Sequence, residues 1–153
     1  MTKLSNNFSV DEYTRSQTAQ RRGIDNSMPE DHLENAIALA ENILQPVRDH
    51  FGVVTISSGY RSSDLNAAIG GSNRSQHSKG QAADFEVPSV DNFVIAEWIN
   101  DNLDFDQLIL EFYDSSDPYS GWIHCSYSSE NRNQVLTAVK EDGKTLYKQG
   151  LIC

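Results

Sequence analysis

In the run Ser75-Gln-His77-Ser-Lys-Gly80-Gln-Ala82-Ala-Asp84, an imidazole and a carboxylate stand seven positions apart, separated by a glycine and small residues. Such a segment lets the backbone fold closely around an ion. Forty residues after Asp84, Trp122-Ile-His124-Cys-Ser126 offers a second histidine inside a strand-like run. Two imidazoles and one carboxylate leave the fourth position of a tetrahedral zinc open. That is the ligand arithmetic of a hydrolytic site rather than a structural one.

Two further segments carry chemistry. Ser57-Ser-Gly-Tyr60-Arg61 leaves a β-branched run and brings a guanidinium to its end, and Glu111 closes the apolar run that begins at Phe105. If the loop between the runs 105–112 and 122–127 is symmetric about Asp117-Pro118, Glu111 lies opposite His124 and Ile109 opposite Ser126. By alternation Gln107, Ile109, Glu111, Trp122, His124 and Ser126 then share one face, and Leu108, Leu110, Phe112, Ile123 and Cys125 face the core. This turns Cys125 away from His124 and into a packing role.

The elements that must position these groups are legible in outline. Phe8-Ser9-Val-Asp-Glu12 reads as a helix start, with Ser9 as N-cap, Glu12 closing a capping box and Phe8 as a staple; the helix is expected to end near Gly23. A longer helix runs from about Pro29 to Gly52 on the stripe Leu33, Ile37, Ala40, Leu44 and Val47, with a kink at Pro46. Val53 to Ser57 reads as a short buried strand, Leu65 to Ile69 as a helical turn and Ala82 to Val87 as a strand. Ser89 or Asp91 caps a helix over Phe93 to Asn100. The tail suggests a last helix over Asn131 to Val139 and a short strand at Thr145 to Tyr147. Strands grouped centrally behind helices point to α+β, in one domain over residues 1–153.

Taken together, Ser58-Gly-Tyr-Arg-Ser62, Leu65-Asn66, Ile69-Gly-Gly-Ser72, Ser75-Gln-His77, Gly80, Ala82, Asp84, Asp106-Gln-Leu-Ile109, Glu111 and Trp122-Ile-His124-Cys-Ser126 resemble peptidase family M15. Its members are zinc D-alanyl-D-alanine carboxypeptidases and related peptidoglycan endopeptidases, and the branch resembled is the single-domain type of phages and prophages. The likeness includes the turn Gly23-Ile24-Asp25-Asn26 and extends to about Ser128. It implies a small antiparallel sheet with helices packed mainly on one side, the D-Ala-D-Ala carboxypeptidase-like (hedgehog-like) fold. It also implies one zinc (Zn2+) per chain on His77, Asp84 and His124, with Arg61 binding or polarising the scissile carbonyl or a substrate carboxylate. Ser75, Tyr60, Trp122 and Ser126 are the expected substrate contacts. Several relatives place the catalytic carboxylate three residues before the last histidine, where this chain has Gly121. Glu111 is then the expected proton carrier, with Asp114 and Asp117 as fallbacks.

Composition is that of an ordinary globular domain and argues against other classes. The net charge of −10, with no run of Lys or Arg, argues against nucleic acid and anionic surfaces. No stretch of 18 apolar residues predicts a membrane span, and Met1 to Asn7 lacks an apolar signal region, so synthesis in the cytoplasm is expected; action on the wall after release is what the resemblance implies. Two cysteines, one of them Cys153, make no disulfide framework. His32 and His50 match nothing and read as solvated. Gly70-Gly71-Ser72 lacks the Lys of a phosphate loop. The expected protein is a monomeric peptidase that cuts a peptidoglycan stem peptide beside a D-amino acid, as a carboxypeptidase or an endopeptidase of endolysin type. The alternative is a non-catalytic, zinc-containing wall-binding or virion module of the same fold.

Overall fold

The computed structural model describes residues 2–72 and 75–152. A small hairpin of β1 (Lys3–Ser5) and β2 (Phe8–Ser9) leads into α1 (Val10–Thr14) and α2 (Gln17–Arg22). The single helix expected here is thus two short ones. Ser9 caps the first and Ser16 the second, each accepting from a backbone N–H three residues on, and Arg15 between them is extended. Gly23 ends α2 in the left-handed conformation, as expected.

The long helix is α3 (Glu30–Leu39), a π-helical segment at Ala40–Leu44, and α4 (Gln45–Phe51). Pro46 has no N–H to donate and its ring crowds the carbonyl four residues back. The segment ahead of it widens to π spacing, with Gln45 N–H donating to the Ala40 carbonyl. Helical backbone therefore continues through the proline.

The main sheet has the order β3-β4-β6-β5-β7-β8, formed by β3 (Thr55–Ser58), β4 (Ala82–Glu86), β5 (Gln107–Glu111), β6 (Trp122–Ser126), β7 (Gln134–Glu141) and β8 (Lys144–Gln149). Between them lie α5 (Ser63–Ala68), a 3-10 turn at Gln76–Lys79 and α6 (Asn92–Asn102), which Asp91 caps. The fold is α+β, and the buried side chains of α3, α4 and α6 join Ala83, Phe85, Leu108, Leu110, Ile123 and Cys125 in one core on one face of the sheet. The opposite face carries Asp84, His124, Glu111 and Trp122.

Four expectations change. The sheet is mixed, because β7 runs parallel to β5. Residues 131–139 are not a helix; most of them form β7, whose partner is the free side of β5. The chain leaves β6 beside the start of β5, where Asp106 accepts from Arg132 Nε (2.8 Å) and Arg132 N (3.2 Å). From that anchor it re-enters alongside β5 in the same direction. The β5–β6 register pairs Glu111 with Trp122 and Ile109 with His124, two residues from the symmetric expectation. Two successive tight turns, Asp114 to Asp117 and Asp117 to Ser120, move the loop's centre. A slip of two preserves the faces. Finally, β3 is an edge strand, with Thr55 and Ser57 exposed and Ile56 half-buried, and not a buried one. Cys125 is fully buried, and Cys153 lies outside the described residues.

Candidate metal centre

His77 sits in the 3-10 turn between α5 and β4, whose start is capped by Ser75 Oγ accepting from His77 N–H (3.2 Å). Its ring is 3% exposed, and Nδ1–H donates to the Gly59 carbonyl at 2.7 Å, so Nε2 is the lone-pair nitrogen. Only glycine fits at 59, because a Cβ there would run into the Tyr13 carbonyl and ring. Tyr13, fully buried, also donates its hydroxyl to the Ala82 carbonyl at 2.7 Å. One tyrosine thus holds together the strand end that orients His77 and the strand that carries Asp84.

Asp84 and His124 are direct partners on β4 and β6. Asp84 Oδ1 stands 2.9 Å from His124 Nδ1 and 3.4 Å from His77 Nε2, and the three residues offer ligand atoms all within 4.8 Å of one another. His77 Nε2 is buried and has no hydrogen-bond partner among the described residues. An orphaned imidazole nitrogen aimed at a carboxylate and a second imidazole fits a metal ion, and the Gly59 carbonyl supplies the outer contact that ligating histidines ordinarily have. Burial pushes the His77 pKa down, against the pull of Asp84. Burial would raise that of Asp84, but the hydrogen bond with His124 and the nearness of both imidazoles outweigh it and hold it well below the usual range. Both shifts favour the ligand protonation states, neutral imidazole and ionised carboxylate.

These residues line a cleft of about 640 Å³ together with Arg61, Ser75, Glu111 and Trp122. Arg61 donates from Nε to Ser58 Oγ and from Nη1 to Asn66 Oδ1, each at 3.3 Å, with Nη2 3.9 Å from Asp84 Oδ2. Asn66, buried, donates in turn to the Ser72 carbonyl. Glu111 Oε2 accepts from Trp122 Nε1 at 2.6 Å. Burial raises the Glu111 pKa and the charge of Asp84 raises it further, offset in part by His124, the Trp122 bond and Arg61.

Of the other expected site residues, Tyr60 and Ser126 are not brought to this cleft. Tyr60 is 5% exposed, with its ring tilted against that of His32 at 5.9 Å. Ser126 is fully buried and its Oγ accepts from Gln107 N–H, joining β6 to β5. Asp114 and Asp117 lie exposed in the β5–β6 loop, caught in its turns through Ser116 and Tyr119, and do not line the cleft. His32 is half-buried, and His50 stacks on Trp98 at 4.5 Å. Tyr147 on β8 lines the cleft and has its pKa raised by burial and by the charge of Glu111. No local pattern marks Tyr147, because it reaches the site only through the β7–β8 hairpin.

Gly121, three residues before His124, has no room for a side chain. It has φ +67°, and a Cβ there would collide with the Glu111 carbonyl oxygen and come within 2.9 Å of the Phe112 carbonyl carbon. No side chain fits at that position. Glu111, on the facing strand, lines the cleft, as do Asp84 and Asp106.

No curated protein matches the chain. The family model Peptidase M15 matches residues 6–126, a span that contains all three metal-ligating candidates, Arg61 and Glu111. The chain belongs to the peptidase M15 family.

Proposed function

We propose that this protein is a zinc-dependent peptidoglycan peptidase that hydrolyses a stem-peptide amide bond next to a D-amino acid. The observation that carries the reading is the buried, unpartnered His77 Nε2 facing Asp84 and His124, in a cleft that also holds a carboxylate of raised pKa. A zinc ion held by His77, Asp84 and His124 supplies the Lewis acidity that makes water a nucleophile near neutral pH.

The chain's own groups do the rest. Glu111 takes a proton from the attacking water at its carboxylate and delivers it to the departing amine; a raised pKa suits both transfers. Trp122 Nε1 fixes one Glu111 oxygen and leaves the other for the proton. Arg61, held by Ser58 and Asn66, stands at the cleft wall to stabilise negative charge that develops on the carbonyl oxygen. Ser75 and Trp122 border the substrate path. In this reading the enzyme is a monomeric endolysin of phage type, made in the host cytoplasm and acting on the wall after release. The support for that setting is the likeness to single-domain phage members.

Digesting purified sacculi and weighing the released fragments tests the reading. Free D-alanine marks a carboxypeptidase, and broken cross-links or separated stems mark an endopeptidase. Zinc bound stoichiometrically with no muropeptide cleaved would favour the non-catalytic module.

A further inference from the structure

A second cavity, of about 490 Å³, lies between α2 with the turn before it, β3 and α5, and shares Arg61 with the candidate metal cleft. Arg15, Arg21 and Arg61 line it, and none of its lining residues is Asp or Glu. The chain as a whole has 22 acidic residues and only 12 Lys or Arg, so this concentration of guanidinium runs against its composition. Arg15 and Arg21 form no ion pair among the described residues, whereas Arg132 and Lys148 are paired with Asp106 and Glu141. The cavity floor is partly apolar, through Ile56, Leu65 and Ile69, and Ile69 is 46% exposed.

Two features give this groove a direction. It adjoins the candidate metal cleft, because Arg61 lines both. It also runs along β3, the edge of the sheet, whose outer side pairs with no strand among the described residues. An unpaired strand edge offers backbone donors and acceptors to an extended peptide, and guanidinium groups recognise carboxylates in a forked geometry.

We infer that the Arg15–Arg21 groove is a subsite for an acidic, extended stretch of the substrate peptide, holding its carboxylates while the scissile bond lies past Arg61 at the metal. This rests on the peptidase reading for the identity of the peptide, but not for the binding itself. Arg15 and Arg21 then act in binding and register, and small apolar side chains such as alanine methyls rest on Ile56 and Ile69.

The test is a calorimetric titration of zinc-loaded full-length protein carrying Glu111→Gln, so that peptide survives the measurement. The probes are a synthetic stem peptide with free carboxylates and the same peptide with its carboxylates amidated. Arg15→Gln with Arg21→Gln is expected to weaken binding of the acidic peptide roughly twofold to thirtyfold, the range for two exposed charge-assisted contacts. Amidation should weaken the parent similarly, and the two changes together should add little. Arg15→Lys with Arg21→Lys should keep most of the affinity. Unchanged melting temperature and zinc content show that the fold is intact.

Equal affinity of parent and Gln variant for the acidic peptide overturns the inference, as does no binding by the parent. The peptidase reading is tested separately by wild-type cleavage. Arginine-dependent binding without any cleavage sinks the peptidase and leaves the groove. Cleavage with arginine-independent binding sinks the groove alone.

Discussion

Gly121→Ala tests whether position 121, three residues before His124, can carry a side chain at all. Gly121 has φ +67°, where an ordinary L-residue costs about 1 kcal/mol or more. Its new methyl would also strike the carbonyl oxygen of Glu111. That carbonyl cannot easily retreat, since β5 is paired with β6 on one side and β7 on the other, and Phe112 N–H is bonded to the Ala138 carbonyl at 2.9 Å. Forcing a group into a site that cannot yield costs about 1–3 kcal/mol more. The expected total is about 3 kcal/mol, which for a domain of this size lowers the melting temperature by roughly 6–12 °C. Thermal melts of the two proteins, followed by circular dichroism in the same zinc buffer, give the number. A loss below about 1 kcal/mol would show that the turn relaxes and that steric exclusion does not keep a side chain from position 121. The same logic predicts that Gly121→Glu does not restore turnover to the Glu111→Gln protein.

Other perturbations separate roles within the cleft. Glu111→Gln should retain zinc yet lose about 10²–10⁴ in turnover, the usual contribution of a proton carrier; near-normal rates on muropeptides would remove Glu111 from the mechanism. Trp122→Phe deletes a hydrogen bond that lowers the Glu111 pKa, so the acid limb of kcat/KM should move to higher pH. An unmoved limb means that Glu111 does not set it. Asp106 has its pKa lowered, first by its hydrogen bond from Arg132, so its stabilisation is present above the unfolded carboxylate value of ~3.9 and fades as pH falls through the lower folded value. Asp106→Asn should therefore cost about 1–3 kcal/mol at pH 7 in urea unfolding. The gap from wild type should close only in acid; a pH-independent gap contradicts the linkage.

The His77–Asp84–His124 cluster was legible because half of it is local. His77 and Asp84 lie within one turn and the strand that follows it, and strand alternation alone turned His124 and Glu111 to the same face. That face assignment survived a wrong register because the error was two residues, and side chains repeat with period two. Register itself was not legible, since it depends on how the turns nested at Asp114, Asp117 and Ser120 divide the loop. The tail misled for a different reason. Val135, Leu136, Ala138 and Val139 fit a helical stripe as well as a strand, and only the free side of β5 decides between them. Val53 to Ser57 read as buried because β-branched composition does not distinguish an edge strand from a central one. Tyr60 and Ser126 show the limit of carrying roles along a motif. Both belong to matching segments, yet one is packed in the core and the other joins two strands.

The central claim is that His77, Asp84 and His124 hold one zinc ion that hydrolysis requires. Stripping the protein with a chelator and adding zinc back in steps, while following muropeptide cleavage by mass, tests it directly. The account predicts no cleavage by the metal-free protein and a rise that breaks at one zinc per chain, absent in His77→Ala. Full cleavage by the metal-free protein, or none at any zinc level, would contradict it.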